Sequence, residues 1–161
     1  MDQTTQLPHP KDVRDMLEEL LGRDVDLQSG PPVVPSRAVS AAVGVYVDDR
    51  LGLRAIAVAD LPFAAHAGAS VGLVPRGGAE ASVEDGELAP NLAENFAEVV
   101  NIMAALFNLP GQPHVKLDGY HLPGEALPAD VSALTAAYVN RLDLAISIAG
   151  YGSGGLSFVL P

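Results

Sequence analysis

The most regular pattern of apolar and polar positions runs through residues 91–108, NLAENFAEVVNIMAALFN. On a helical wheel of about 100° per residue, Leu92, Phe96, Val99, Met103, Leu106 and Phe107 gather on one side. Glu94, Glu98, Asn101 and Ala105 gather on the other, with Ala97 and Asn108 beside them. This predicts an amphipathic helix stopped by Pro110 and Gly111. Residues 10–22 show the same spacing through Val13, Met16, Leu17, Leu20 and Leu21, with Pro10 suited to a first turn and Gly22 to a C-cap.

Elsewhere the pattern shortens. Residues 39–47 and 53–59 are Val- and Ala-rich runs around DDRLG, and read as a hairpin. Asp60 is a good N-cap and Pro62 fits a first turn, so 61–73 reads as a second helix, weakened by Gly68 and Gly72. Strands are expected at 113–120, 138–149 and 155–160, with GYGSGG turning between the last two. Residues 29–37, 74–90 and 121–130 read as connectors, and 131–137 fits helix and strand equally. The order gives two loosely similar halves without a residue-level repeat. The expected fold is α+β, with long helices packed on an antiparallel sheet. Residues 1–161 form a single domain, with 1–9 as a flexible N-terminus.

Composition narrows the partners. Nine basic against twenty acidic residues leave a formal net charge of −11, which repels nucleic acid and anionic lipid alike. The absence of cysteine removes disulfides, thiolate metal sites and cysteine nucleophiles. No signal-peptide pattern and no apolar run of about 18 residues is present, so a cytoplasmic home is expected. The four histidines are scattered, with no helical ligand spacing, and no protein metal site is expected. Gly150-x-Gly152-x-x-Gly155 has the form of a dinucleotide fingerprint, but only six residues follow it, too few for the helix that holds a pyrophosphate. Asp48-Asp49 reads as turn chemistry.

The polar side of residues 91–108 is unusual for a solvated face. It carries no basic residue, and Glu94 and Glu98 form a like-charge i, i+4 pair. Asn101, a weak helix former, has Ala97, Ala104 and Ala105 around it. Small neighbours let another protein approach a projecting amide.

Glu94-x-x-x-Glu98-x-x-Asn101-x-x-x-Ala105 resembles the (Asp or Ser)-x-x-x-Glu-x-x-Asn-x-x-x-Gly motif of the CheC/CheX/FliY family, phosphatases of the chemotaxis response regulator CheY. Glu94 replaces the family's Asp or Ser, and Ala105 its Gly. The first helix carries Glu18 and Glu19 but no asparagine at the matching spacing, so the pattern is CheX-like, with one site. The resemblance implies that the substrate is a phosphorylated CheY-like receiver domain. Asn101 would position the attacking water, Glu98 would pair with the partner's lysine, and Glu94, Ala97 and Ala105 would be partner contacts. The protein would hold no cofactor of its own, because the receiver supplies Mg²⁺. Positioning alone lowers such a barrier, since the acyl phosphate is already activated. The resemblance also implies a homodimer that joins sheets, and the strands at 39–47 and 142–148 lack lysines to guard an edge. The alternative is a non-catalytic response-regulator-binding or flagellar-switch adaptor with the same fold. A structural dimerising domain is the third reading.

Overall fold

The computed structural model describes residues 4–161. Among these, five helices pack on one six-stranded antiparallel sheet. The elements are α1 (Pro10–Leu21), β1 (Val25–Ser29), β2 (Ala41–Val47), β3 (Leu53–Asp60), α2 (Leu61–Val71), α3 (Arg76–Asp85), α4 (Pro90–Ile102), a 3-10 turn (Met103–Phe107), β4 (Lys116–His121), α5 (Ala129–Thr135), β5 (Arg141–Ile148) and β6 (Gly152–Val159). The α+β expectation holds.

The strand order is β1-β5-β6-β3-β2-β4. Exchanging β1 with β4, β2 with β5 and β3 with β6 returns the same order read backwards. Each half opens with a long helix and contains a lone strand and a strand pair, and each lone strand pairs with the strand pair of the other half. The two halves legible in the pattern therefore interlock through one sheet.

Alternation along β2 explains its burial on both sides. Ala42 and Tyr46 face the core under α1, α2 and α4, while Val43, Val45 and Val47 face a second core capped by α5 and Val33. The larger core is lined by Tyr46, Phe107 and Phe158, whose rings follow one another at 5.4 and 5.7 Å. Phe63 of α2 meets Phe96 of α4 edge-on, at 5.8 Å.

Local signals worked where capping chemistry was present. Asp60 accepts from Phe63 N–H at 2.9 Å as the N-cap of α2, and its other oxygen accepts from Gly155 N–H at 2.9 Å, tying β6 to that helix. Asp48 accepts from the N–H groups of Arg50 and Gly52 at 2.9 Å each, closing the β2–β3 turn. Gly22 ends α1 in the left-handed region, whereas the turn from β5 to β6 is confined to residues 149–151, and Gly152–Gly155 of GYGSGG, expected in the turn, pair with β5 as the start of β6.

Three expectations need correction, and one open assignment closes. The connector at 74–90 contains α3, a helix with few apolar residues that the periodic pattern did not reveal. It is held by burial of Ala79 and Ser82, and Ser82 Oγ accepts from Ala89 N–H at 3.0 Å. β1 (Val25–Ser29) has no strand signal in the sequence pattern. It is a short strand recruited by pairing with β5 across more than a hundred residues of chain. The ambiguous 131–137 region is helical, as α5. At the N-terminus, Thr5 and Pro8 are buried and Leu7 packs against the core, so residues 4–9 lie on the body. The rest of that segment lies outside the described residues.

The ground for a dimer through the strands at 39–47 and 142–148 also falls. β2 and β5 are interior strands, paired on both sides. The edges are β1 and β4, and these expose Asp26, Lys116 and Asp118, charges of the kind that discourage edge pairing. No helix among the described residues is long and apolar enough to cross a membrane.

Candidate functional site: the outer face of α4

α4 is pinned from several sides. Gly68 of α2 faces the Leu92 carbonyl, where an added Cβ would stand 2.6 Å from the oxygen. On β2, a Cβ at Gly44 would clash with the Val100 side chain. Two glycines thus let α2 and the sheet approach α4 as closely as backbone permits. Hydrogen bonds lock the result. Asn95 Nδ2 donates to Gly68 O at 3.0 Å, Tyr120 Oη of β4 donates to Ala93 O at 3.2 Å, and Tyr46 Oη of β2 donates to Val100 O at 2.6 Å. Burial pushes the Tyr46 phenol well above its ordinary pKa, so it stays a neutral donor.

The wheel holds as far as Ile102. Leu92, Phe96 and Val99 are fully buried, whereas Glu94, Glu98 and Asn101 are exposed and Ala97 is half-buried. From Met103 the chain tightens to three residues per turn. Met103 and Leu106, and likewise Ala104 and Phe107, are buried at that period, which leaves Ala105 exposed. Ala105 is therefore exposed, as Asn101 is, but belongs to the 3-10 turn. Ala104, expected beside Asn101, points into the core. Beyond the turn, Asn108 accepts from Val115 N–H at 2.7 Å and donates to Val115 O at 3.0 Å, which fixes the exit of the chain.

The three asparagines of this region differ in use. Asn95 and Asn108 spend their amides on backbone groups, whereas the side-chain amide of Asn101 makes no hydrogen bond to any other described residue. Glu94 and Glu98 likewise have no ion-pair partner among the described residues. Sequence reasoning missed two exposed apolar side chains, Ile102 directly after Asn101 and Leu109 beyond the 3-10 turn, each 41% exposed. The wheel could not find them, because an exposed isoleucine in an apolar run reads as core.

A second amide on α1, the counterpart of α4 in the other half, is absent. Glu18 accepts from Val25 N–H at 3.1 Å, and Leu21, three residues on, is buried. α1 spends its glutamate holding β1.

Tyr46→Phe tests the seating of α4. It removes one buried bond that ends between Glu98 and Asn101. The expected cost is about 1 kcal/mol, with the amide resonances of 98–102 shifting more than those of α1. Urea unfolding and amide spectra would check this.

No family model matches the sequence, and no curated protein matches it by sequence. Solved structures do. The FliM middle domain of H. pylori superposes with a TM-score of 0.55 at 11% identity, over 94% of this chain and 84% of that one. The middle domain of FliM from Vibrio alginolyticus gives 0.59 at 9% identity, over 94% and 87%. The fold is that of the FliM middle domain. FliY of Thermotoga maritima shares it, with a TM-score of 0.55 at 17% identity over 91% and 81%. FliY is also one of the names carried by the α4 motif resemblance, so motif and fold converge on the same group of folds.

Proposed function

We propose that this chain is a receiver-docking adaptor of the chemotaxis and flagellar-switch type, which meets its partner with the outer face of α4. The observation that carries the proposal is the pairing of an unengaged carboxylate and an unengaged amide, Glu98 and Asn101, on a helix held rigid by its neighbours. They are three residues apart and share one side. Solved relatives by fold support a docking role: H. pylori FliM is seen in complex with FliG and with SpeE. In this reading Glu98 pairs with a receiver lysine, and Glu94, Ala97 and Ala105 are partner contacts beside it.

A second reading keeps the docking and adds hydrolysis, as in a CheX-like phosphatase. What favours it is Asn101. Its free carboxamide offers both a donor and an acceptor to a water, and its neighbours Ala97 and Ala105 are small. Asn101 would place water in line with the receiver's aspartyl phosphate, while the receiver supplies Mg²⁺ and lysine.

One experiment separates the readings. Receiver domains from the same organism are titrated with the protein, with and without beryllofluoride as phosphoryl mimic, and phosphate release is followed in parallel. The wild type should bind the activated receiver. Glu98→Ala should weaken binding by about tenfold or more, since a charge-assisted bond contributes roughly 1.5–3 kcal/mol. Asn101→Ala should leave binding nearly intact and abolish any acceleration of dephosphorylation. Binding without acceleration leaves the adaptor alone. Binding to no receiver in either state overturns both.

A further inference from the structure

Beside the outer face of α4 lies an open groove of about 500 Å³. Leu88, Pro90, Ala93 and Ala97 form one wall, and Tyr120 and Leu122, from β4 and its end, form the other. The wall does not collapse, because Tyr120 Oη is tied to Ala93 O at 3.2 Å. Burial pushes that phenol up to about 12, so the wall stays neutral. The polar groups at the mouth are two exposed carboxylates, Glu94 and Glu125. Glu94 has no ion-pair partner among the described residues, and Glu125 has only His121 Nδ1 near it, at 3.9 Å. An apolar floor between two acidic lips is complementary to an apolar side chain with cationic neighbours.

We infer that this groove is a second contact for the same partner, and that it takes an apolar side chain flanked by lysine or arginine on that partner's surface. The inference rests on the reading of α4 as a docking face. Continuity supports it. Glu94 and Ala97 belong to both surfaces, and Asn101 lies four residues beyond Ala97, about 6 Å along the helix. A partner seated on Glu98 and Asn101 would cover the groove without any movement of the fold. The volume is within the range of about 300–1,000 Å³ typical of specific pockets, enough for a phenylalanine or leucine. The net charge of −11 steers a basic surface toward it.

The groove can be tested apart from the receiver. The probes are an acetylated heptapeptide with a central phenylalanine between two lysines, and its counterpart with glutamates for lysines. Each is titrated into the isotope-labelled full chain. The lysine peptide should shift the amides of Ala97 and Tyr120, and the glutamate peptide should not. Glu125→Arg should weaken the lysine peptide by about tenfold, and raised salt should do the same in part. Asn101→Ala should leave peptide binding unchanged. If both peptides bind equally, or neither moves these amides at millimolar concentration, the inference is overturned. It is also overturned if the free protein is a dimer that Glu125→Arg dissolves, because a second copy then fills the groove. With the receiver, Glu125→Arg and Leu122→Ser should each weaken binding. A receiver that binds the wild type and both variants equally sinks the groove alone. Peptide binding at the groove with no receiver binding sinks the proposed function and leaves the groove's specificity standing.

Discussion

Arg141→Met should destabilise the protein by about 3 kcal/mol, among the largest losses expected from one substitution. The Arg141 side chain is 7% exposed, and its Nε lies 3.0 Å from Asp143 Oδ1. Its Nη1 donates to the carbonyls of Thr135 at 3.1 Å and Ala137 at 2.6 Å, closing the end of α5. Asp143 in turn accepts from Ser157 Oγ at 2.6 Å, and that oxygen accepts from Val33 N–H at 2.9 Å. Removing the arginine strands a largely buried carboxylate and two carbonyls. Breaking one side of such a pair costs about 3–5 kcal/mol. The low end is expected here, because Arg141 Nη2 is itself buried without a partner among the described residues, so the network is incomplete. In a chain of this size the midpoint of thermal unfolding should fall by roughly 6–12 °C. The double variant Arg141→Met/Asp143→Leu should recover part of the loss. A single-variant loss below about 1 kcal/mol would show that the network is solvated and that the α5 layer is held by its apolar contacts alone.

Phe96→Ala should cost about 3–5 kcal/mol. Phe96 is fully buried and lies edge-on against Phe63, so truncation leaves a void where α2 and α4 meet. Glu94→Ala, two residues earlier on the opposite side of the same helix, should change stability by no more than about 0.5 kcal/mol. Denaturant unfolding of the two variants measures the contrast directly. Comparable losses for both would mean that the face of Glu94, Glu98 and Asn101 is packed against something within the fold, and would remove the ground for a docking surface. At temperatures where Phe96→Ala remains folded, its receiver binding should be weaker than wild type, because the α4 face loses its rigid support.

Much of α4 is legible in the sequence alone. A period of 3.6 residues assigns each side chain to a face, and burial of the apolar face follows from the hydrophobic effect alone. That reasoning placed Phe96 and Val99 inside and Glu98 and Asn101 outside. The caps at Asp60 and Gly22 and the turn at Asp48 were legible for the same reason: their partners lie within a few residues. Periodicity failed where the helix changed pitch. Ala104 points inward because the chain after Ile102 repeats every three residues.

What the sequence by itself determined, then, was local: that α1, α2 and α4 are helical, which of their faces are apolar, and that one exposed face carries a glutamate and an asparagine three apart. The tertiary structure decided everything that depends on pairing across long stretches of chain. The order β1-β5-β6-β3-β2-β4 made interior strands of the two that looked like edges. β1 has too few residues to announce itself and is stable only against β5. α3 has too few apolar positions, and forms because Ala79 and Ser82 find a surface to bury against. The groove beside α4 joins Glu94 to Tyr120 and Glu125, and no pattern along the chain connects them. Periodicity reports how one element faces its surroundings. It carries no information about which distant element will be there, because that is set by the packing of the whole core.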